Sequence, residues 1–324
     1  MRFRRAAKKK EHQMKAWQYE GDRKPIALNE VPEATAGPGE VVIDVKAAGL
    51  CHSDIMYMEL GDAVMPFLPM TQGHENAGVI SAIGEGVTGW SVGDVVGVCS
   101  SGERPPAGMF THGGFADQLV ANAADLARVP EGLDLALAAL ATDAGMTSHH
   151  AIMKTGGATA GMKVGVIGYG GLGQIGTRAA VLAGAEVHVA EVKEDVWPLA
   201  LAAGVAGVVK DADEWAGQNF DLVVDYAGFD TTAKALAAVR RGGTAVQVGL
   251  GKPTFTVPTN AILGKNLLGS LGGSVADIEE VFALLLSKEI EPVYTEIGFD
   301  EIGEGLERLK NNQVTGRLVA RFGD

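Results

Sequence analysis

A glycine-rich loop between a strand and a helix constrains this sequence more than any other feature. The apolar run 163–167 leads into Gly168-Tyr169-Gly170-Gly171-Leu172-Gly173, and a helical pattern over 172–182 follows. In such a loop the first glycine allows a tight turn and the second lets backbone N–H groups approach a pyrophosphate. The third lets the helix pack closely on its strand, with its N-terminus facing the anion. We therefore predict a dinucleotide site with Gly168, Gly170, Gly171, Leu172 and Gly173 as cofactor-binding residues.

An acidic residue at the end of the next strand completes this pattern. Glu191 follows Gly168 by roughly twenty residues, the spacing at which a carboxylate meets the ribose 2′-hydroxyl. Because a carboxylate there would repel a 2′-phosphate, Glu191 favours NAD over NADP, and nearby Lys193 weakens that preference slightly. A glycine-rich turn with a purely structural role is the alternative interpretation.

The rhythm of residues 147–274 indicates a parallel sheet. Short apolar runs alternate with helical patterns, giving strands at 163–167, 187–190, 207–209, 222–224 and 244–248, and helices at 172–182, 195–203 and 232–239. Strands that alternate with helices pair in parallel through right-handed crossovers. We therefore predict an α/β protein in which residues 147–274 form a Rossmann domain, a doubly wound parallel sheet.

The rest of the chain is β-rich until its last segment. Alternating or β-branched runs predict strands, at 41–48, 79–83, 95–98 and 115–121. An Ala/Leu-rich stretch predicts a helix over 133–141. The last segment offers amphipathic helices at 278–286 and 301–310, and then a strand at 317–322.

Length and charge exclude several classes of protein. The 324 residues suffice for two domains, and the net charge of −13 argues against nucleic acid or an anionic membrane as the main partner. No apolar run is long enough to span a bilayer. The basic residues 1–10 lack the apolar core of a secretory signal, so we expect residues 1–13 to be a disordered extension or a start-site artefact. Two cysteines make no disulfide framework, which favours a reducing cytoplasm.

Three residues that lie far apart in the sequence can each serve as a zinc ligand. Cys51, His74 and Asp143 offer the thiolate, imidazole and carboxylate that a catalytic zinc takes when its fourth position stays open. Taken singly, each has a simpler interpretation. Cys51 can be a small buried apolar residue, His74 a satisfied core histidine, and Asp143 a helix cap.

The order of the motifs identifies a family. From Met14 to Phe322 the chain resembles the zinc-dependent alcohol dehydrogenases of the medium-chain dehydrogenase/reductase family, whose motifs G-x-C-H-S-D, G-H-E-x-x-G-x-V, V-G-D-x-V, D-A-G-x-T and G-x-G-G-L-G occur here in order. The resemblance implies a GroES-like catalytic domain over residues 14–146 and 275–324, and an NAD-binding domain over 147–274. Some bacterial secondary-alcohol dehydrogenases are similar in using an aspartate as the third ligand.

The resemblance also implies roles for individual residues. Cys51, His74 and Asp143 would bind the catalytic zinc, and Glu75 would be a transient ligand behind it. Asp54 would orient the ligating histidine. Ser53 would accept the alcohol proton and pass it toward the cofactor ribose, although a turn or cap hydroxyl is the alternative.

Three further residues would contact the cofactor by the same resemblance. They are His52, Thr147 of the D-A-G-x-T motif, and Arg317 near the phosphates. A surface side chain is the alternative for His52, and a charge on a strand face is the alternative for Arg317.

Two departures from the family pattern carry consequences. The stretch 97–113, which holds four cysteines for a structural zinc in many relatives, is short here and contains only Cys99, so we predict one zinc per chain. Many relatives place a proton-relaying histidine five residues after the first ligand, where this chain has Met56. The route of the proton to solvent therefore stays open.

The sequence thus predicts a zinc-dependent alcohol dehydrogenase that interconverts an alcohol, in particular a secondary one, and its ketone or aldehyde by hydride transfer to NAD. We expect a homo-oligomer, either a dimer or a tetramer. A zinc-free quinone or enoyl reductase of the same fold and a non-enzymatic nucleotide-binding protein are the alternatives. Tyr57, Trp90 and Phe110 are candidates for the substrate pocket, with ordinary packing as the alternative for each.

Overall fold

The computed structural model describes residues 13–61, 64–102 and 105–323. Most of the predicted extension, residues 1–13, lies outside the described residues. Its last residue, Gln13, begins the first strand and pairs with Pro32. The predicted boundary is therefore wrong by one residue, because Gln13 belongs to the fold.

The first part of the chain is built from strands, as predicted. They are β1 (Gln13–Tyr19), β2 (Ala27–Pro32), β3 (Glu40–Leu50), β4 (Met70–Thr71), β5 (Glu75–Ile83), β6 (Val95–Val98), β7 (Gln118–Asn122) and β8 (Leu126–Arg128). The long strand β3 pairs antiparallel with both β5 and β7, and β5 continues the sheet to β6 and β8. β1, β2 and β4 form a separate small sheet.

The second part forms the predicted parallel sheet. Its strands are β9 (Lys163–Ile167), β10 (Glu186–Ala190), β11 (Gly207–Val209), β12 (Phe220–Asp225), β13 (Val239–Gln247) and β14 (Asn266–Gly269). Within the described residues they make a six-stranded sheet in the order β11-β10-β9-β12-β13-β14. The order reverses beside β9, which is the strand that leads into the glycine-rich loop, so this is where ligands bind in such sheets.

The helices connect and cover these sheets. They are α1 (His52–Leu60), α2 (Leu135–Leu140), α3 (Met146–His149), α4 (Gly171–Leu182), α5 (Trp197–Ala202), α6 (Thr231–Ala238), α7 (Val275–Leu286) and α8 (Ile302–Lys310). The predicted helix over 195–203 is shorter than expected, because its first turn, Glu194–Val196, is a 3₁₀ turn.

One continuous helical stretch carries the chain from the first part to the second. α2 and α3 are joined and extended by wide π-helical turns at Ala141–Gly145 and His150–Thr155. The predicted helix over 133–141 is therefore only the beginning of a stretch that reaches residue 155. Asp143 lies inside this stretch, so its interpretation as a helix cap is wrong. Wide turns of this kind are frequent at functional sites.

The last segment returns to the first sheet. After α7 the chain forms β15 (Tyr294–Gly298), α8 and β16 (Arg317–Arg321). β16 pairs antiparallel with β3, and Leu318 lies opposite Leu50. The C-terminal strand thereby becomes part of the same sheet that presents Cys51.

Candidate metal and cofactor site

Strand register brings the candidate ligands together. In the antiparallel pair of β3 and β5, Gly49 lies opposite Glu75. Cys51, just after β3, and His74, just before β5, therefore leave the sheet at the same end. Arg317 begins β16 and reaches that end as well, because its neighbour Leu318 pairs with the last residue of β3.

Four side chains meet there to form what we call the metal cluster, Cys51, His74, Glu75 and Asp143. One ligand atom from each lies within 4.8 Å of the others. Asp143 Oδ2 is 3.8 Å from Cys51 Sγ and 3.3 Å from His74 Nε2. Cys51, His74 and Glu75 are buried. The set offers the mixed sulfur, nitrogen and oxygen donors that suit zinc.

The metal cluster leaves buried polar atoms without hydrogen-bond partners. His74 Nε2 and Glu75 Oε2 are both buried, and neither has such a partner among the described residues. Buried polar atoms in proteins are rarely left unpaired. His74 is therefore not a satisfied core histidine, and a cation between these atoms would supply what they lack.

A second layer of contacts orients the candidate ligands. Asp54 is fully buried, and its Oδ1 lies 2.9 Å from His74 Nδ1 while its Oδ2 accepts a hydrogen bond from the Cys51 backbone N–H at 3.0 Å. With Nδ1 held as a donor to Asp54, Nε2 points at the cluster, and in the neutral imidazole it is the atom that can bind a metal ion. Asp143 Oδ1 accepts hydrogen bonds from Ser100 Oγ at 3.3 Å and from Thr147 Oγ1 at 3.1 Å.

Two of these contacts differ from the sequence interpretation. Thr147 was predicted to contact the cofactor, and in the structure its hydroxyl binds the Asp143 carboxylate. Ser100 was not singled out, because an isolated serine that belongs to no motif gives no signal in one sequence.

The charges of the metal cluster depend on one another. Burial favours the neutral imidazole, but the carboxylates of Asp54 and Asp143 outweigh it and hold the pKa of His74 well above its ordinary value. Burial also opposes ionisation of Asp143, yet the charge of nearby His74 and the hydrogen bonds from Thr147 and Ser100 keep the pKa of that carboxyl below its ordinary value. A metal ion would replace the proton that these carboxylates favour on His74, because only the neutral imidazole is a ligand.

Arg317 connects the metal cluster with the glycine loop. Its side chain is buried, its Nη2 donates to Glu75 Oε1, and the same atom lies 3.5 Å from Asp143 Oδ2. Its stem lies against Gly171, where a Cβ would come within 2.8 Å of Arg317 Cδ. Arg317 Nε is buried and has no hydrogen-bond partner among the described residues. The alternative of a charge on a strand face is therefore wrong.

The start of α1 places Ser53 beside the metal cluster. Cys51 is the N-cap of α1, and its Sγ lies 3.6 Å from Ser53 Oγ. Ser53 is half-buried, and Cys51, not Ser53, is the N-cap. The Ser53 hydroxyl is therefore available to a substrate bound at the metal cluster. His52, next to it, is exposed. Its side chain is partly in solvent, but the protein atoms packed around the imidazole desolvate it, and this desolvation, followed by the positive charges of Arg317 and Lys193, lowers the pKa of His52.

The three aromatic candidates for the pocket separate into two groups. Tyr57 lies one helical turn after Ser53, on the same face of α1, and makes an edge-to-face contact with Phe110 at 6.0 Å between ring centroids. Trp90 instead lies under the Arg128 guanidinium at 4.5 Å and donates to the Ala123 carbonyl oxygen. Trp90 therefore has the ordinary packing role that was its alternative.

The glycine loop, residues 168–173, has the shape that the sequence predicts. Gly168 has a φ of +88°, which favours glycine. A Cβ at Gly173 would overlap the Gly168 carbonyl oxygen, whereas a Cβ at Gly170 would meet nothing within 4 Å. α4 starts at Gly171 without a side-chain cap, so its first N–H groups stay free for an anion. Leu172 is half-buried and packs against the core.

Glu191 is fixed beside this loop. It follows β10, it is buried, and its carboxylate accepts hydrogen bonds from the backbone N–H groups of Tyr169 at 2.7 Å and Lys193 at 2.8 Å. The loop and the acid thus lie together at the carboxyl edge of the parallel sheet, as predicted.

Comparison with known proteins gives the family. The family model of the alcohol dehydrogenase GroES-like domain matches residues 37–131, and that of the zinc-binding dehydrogenase matches residues 171–287. An alcohol dehydrogenase of Geobacillus stearothermophilus is 30% identical over 95% of this chain and 99% of its own. The chain belongs to the zinc-type alcohol dehydrogenases of the medium-chain family. The predicted resemblance is confirmed.

Solved structures extend this likeness to the alcohol dehydrogenase fold. The acetophenone reductase of Geotrichum candidum, in complex with NAD, superposes with a TM-score of 0.88 at 30% identity, covering 97% of this chain and 98% of its own. The GroES-like and Rossmann-type folds are thereby confirmed, and the chain is an oxidoreductase that uses zinc, a nicotinamide cofactor and a small-molecule substrate.

The relatives of this dehydrogenase differ in the cofactor. An alcohol dehydrogenase of Mycolicibacterium smegmatis that is NADP-dependent is 30% identical over 91% of this chain and 94% of its own. Family membership therefore leaves the choice between NAD and NADP to the residues of the chain. None of the described helices is both long and apolar enough to cross a membrane.

Proposed function

We propose that this dehydrogenase interconverts a secondary alcohol and its ketone, or an alcohol and its aldehyde, with NAD and one zinc ion per chain. The observation that carries the proposal is the convergence of Cys51, His74 and Asp143 within 4.8 Å of one another. In this proposal these three residues hold the zinc and Glu75 is its transient ligand. When bound, zinc polarises the oxygen of the alcohol or carbonyl, and NAD exchanges a hydride with the carbon that bears it.

The chain's own groups supply the proton transfer. Ser53 Oγ lies 3.6 Å from Cys51 Sγ, at the edge of the metal cluster. From there it accepts the hydroxyl proton of the alcohol in the oxidation and returns it in the reduction. Met56 has no titratable group, so residue 56 offers no relay, and the proton would leave Ser53 for solvent on the side where the ribose of the cofactor would bind.

The cofactor residues act mainly through backbone and fixed charge. We infer that the glycine loop and the free N–H groups of α4 bind the pyrophosphate, with Arg317 Nε and the exposed His52 as further donors to it. Thr147 holds Asp143 and lies at the join of the metal and cofactor residues. Glu191 receives the adenosine ribose, and its negative charge favours NAD.

We also infer a homo-oligomer. β14 is the outer strand of the parallel sheet, and all four of its residues are exposed. Apolar side chains cluster along this edge, among them Leu267, Leu268 and Leu263, which is 66% exposed. An exposed apolar edge strand is a template for pairing with another chain, so a dimer through this edge is the simplest assembly. Light scattering of the parent and of Leu268→Lys tests this.

Two further proposals concern domains and location. We place the cofactor domain at 147–274, because all strands of the parallel sheet lie in this range. The catalytic domain is then the predicted 14–146 and 275–324, with its start moved to Gln13, the first residue of β1. Both cysteines are free, which agrees with a reducing cytoplasm.

A panel of primary, secondary, cyclic and aromatic alcohols, assayed by NADH formation alongside elemental analysis, tests the proposed function. We expect the highest kcat/KM with a secondary alcohol and about one zinc per chain. Turnover of an enone or quinone by a zinc-free preparation would instead favour a reductase of the same fold. No turnover of any alcohol or carbonyl would contradict the proposal.

A further inference from the structure

The chain crosses twice between its two main sheets, and the two crossings lie side by side. The outward crossing is the helical stretch of residues 135–155, which carries Asp143 and ends before β9. The return crossing is the segment 270–274, which follows β14 and leads into α7. A contact between these two segments therefore fixes the metal cluster in position relative to the cofactor edge of the parallel sheet.

A buried carboxylate joins the two crossings. Asp277, near the start of α7, is 2% exposed. On the return side its Oδ2 accepts hydrogen bonds from Ser274 Oγ at 2.7 Å and from the Ser274 backbone N–H at 2.9 Å. On the outward side the same oxygen lies 3.0 Å from His150 Nδ1, and Oδ1 lies 3.6 Å from His149 Nδ1.

The charges around Asp277 keep it ionised. Burial opposes ionisation, but the hydrogen bonds of Ser274 and His150 outweigh it, and the pKa of this carboxyl lies below its ordinary value. Two other charged groups pack here, Lys154 of the outward crossing and Glu280 of α7, and they pair with each other at 2.8 Å. Glu280 Oε2 also lies 3.5 Å from His149 Nε2. Asp277 thus acts as a fixed anion between two imidazoles.

The return segment packs closely against the metal side, with no space for a Cβ at either of its two glycines. A Cβ at Gly273 would lie 2.7 Å from Met146 Cγ and 3.1 Å from His150 Cβ, and one at Gly272 would overlap Ser101 Oγ. The neighbouring residue, Ser100, holds Asp143. A shift of the return segment would therefore press on the residues that support the third candidate ligand.

The return segment also lies at a defined part of the cofactor edge. It leaves the carboxyl end of β14, while Glu191 leaves that of β10, and the two strands lie on opposite sides of β9 in the sheet. A dinucleotide bound across such an edge places its adenosine over the side of Glu191. The β14 side is then left for the nicotinamide half.

We propose that Asp277 is a positioning residue, which holds segment 270–274 against the Asp143-bearing helix and so sets the affinity for the nicotinamide half of the cofactor. This rests on the proposed cofactor use. It assigns Asp277 no contact with the cofactor and no part in metal binding.

The test compares two ligands that share the adenosine half. NADH and 5′-AMP are titrated separately against the zinc-loaded parent and Asp277→Asn, by fluorescence and by calorimetry. We expect the Kd for NADH to rise roughly two- to thirtyfold, while the Kd for 5′-AMP and the zinc content stay within twofold. Glu279→Gln, which changes an exposed carboxylate of the same helix α7, is the matched control and should change neither Kd.

Two outcomes would overturn the proposal. One is an unchanged Kd for NADH in Asp277→Asn. The other is an equal weakening of NADH and 5′-AMP, because general damage to the fold would produce it. A parent that fails to bind NADH would instead contradict the proposed function.

A second variant serves if Asp277→Asn does not fold. Asp277 completes the capping box of α7, whose N-cap is Ser274. His150→Leu leaves that cap intact and removes the shorter of the two Asp277 contacts with the outward crossing. We expect the same selective loss of NADH affinity in His150→Leu. If His150→Leu keeps the full affinity for NADH, the proposal that Asp277 holds the two crossings together is refuted.

Discussion

The metal cluster and the glycine loop lie at two ends of Arg317, yet they are built in opposite ways. The cluster consists of side chains, and each is held by another, as Asp54 holds His74 and Ser100 holds Asp143. The loop consists of backbone, and its shape depends on the absence of side chains. The comparison teaches that removing a side chain should damage metal binding or catalysis at the cluster. Adding a side chain should damage the stability or the cofactor binding of the loop.

Removing the third candidate ligand should have the largest effect. Asp143→Ala deletes the only carboxylate that the outward helix contributes to the cluster within the described residues. We expect zinc to fall from about one per chain to almost none, and alcohol oxidation to be lost, because a ligand lost from a three-ligand site leaves too few donors.

Elemental analysis and circular dichroism measure this loss and the survival of the fold. Asp300→Ala, which removes an exposed carboxylate near Lys15, is the control and should keep zinc and activity. If Asp143→Ala keeps both, the carboxylate is only part of a hydrogen-bonding turn.

The next effect separates proton transfer from metal binding. Ser53→Ala removes a hydroxyl at the edge of the cluster without removing a ligand, so zinc should stay bound. Turnover should fall roughly a hundredfold to ten-thousandfold, the usual contribution of a positioned acid–base group. Ser53→Thr, which keeps the hydroxyl, should retain most of the rate.

The pH profile sharpens this result. Because Met56 cannot titrate, the parent should lack a histidine step from that position, and Met56→His should introduce one near the ordinary histidine pKa of about 6.5. Unchanged turnover in Ser53→Ala would remove the serine from the mechanism. An unchanged profile in Met56→His would mean that the proton leaves by another path.

Two neighbouring glycines test the loop by addition. A Cβ at Gly173 would overlap the Gly168 carbonyl oxygen, a backbone atom that cannot easily move. Gly173→Ala should therefore lower the free energy of unfolding by about 1–3 kcal/mol, measured in urea. Gly170→Ala meets nothing within 4 Å, so it should leave stability unchanged and weaken only NADH binding, which a fluorescence titration measures. Equal stability losses would contradict this account of the loop.

The same contrast explains what the sequence could predict. The glycine loop, its strand and its helix lie within about thirty consecutive residues, so local pattern alone indicates the whole unit. Glu191 was found in the same way, by its spacing. The metal cluster joins residues that only strand register brings together, and each of its members has a common structural role when taken singly. For those residues the family resemblance was needed.

Some features gave no sequence signal at all. Ser100 and Asp277 are single polar residues outside any motif, and their roles depend on partners far along the chain. The helical stretch beyond residue 141 was missed because its wide turns break the 3.6-residue periodicity. β1 and β2 were also missed, since half of β2 faces solvent and their alternation is weak.

The smallest expected effect concerns Glu191, the acidic side chain predicted to bind the cofactor beside the loop. Two backbone N–H groups fix the Glu191 carboxylate, so it cannot turn away from a 2′-phosphate. Lys193 offers little compensation, because its Nζ donates to the Asn312 carbonyl oxygen at 3.3 Å. We expect kcat/KM to favour NAD over NADP by roughly tenfold to a hundredfold.

Glu191→Gln removes the charge and keeps one of the two backbone hydrogen bonds that the carboxylate accepts. The amide oxygen can still accept from Tyr169, so the loop should keep its shape, while the repulsion of a 2′-phosphate disappears. The preference for NAD should then fall to within a few-fold of parity, mainly through a better kcat/KM with NADP. Glu194→Gln, which removes a nearby exposed charge paired with Lys210 at 2.8 Å, should leave the preference as it was. If Glu191→Gln also leaves the preference for NAD unchanged, the shape of the backbone, and not this charge, selects the cofactor. The glycine loop would then depend on side chains even less than its contrast with the metal cluster implies.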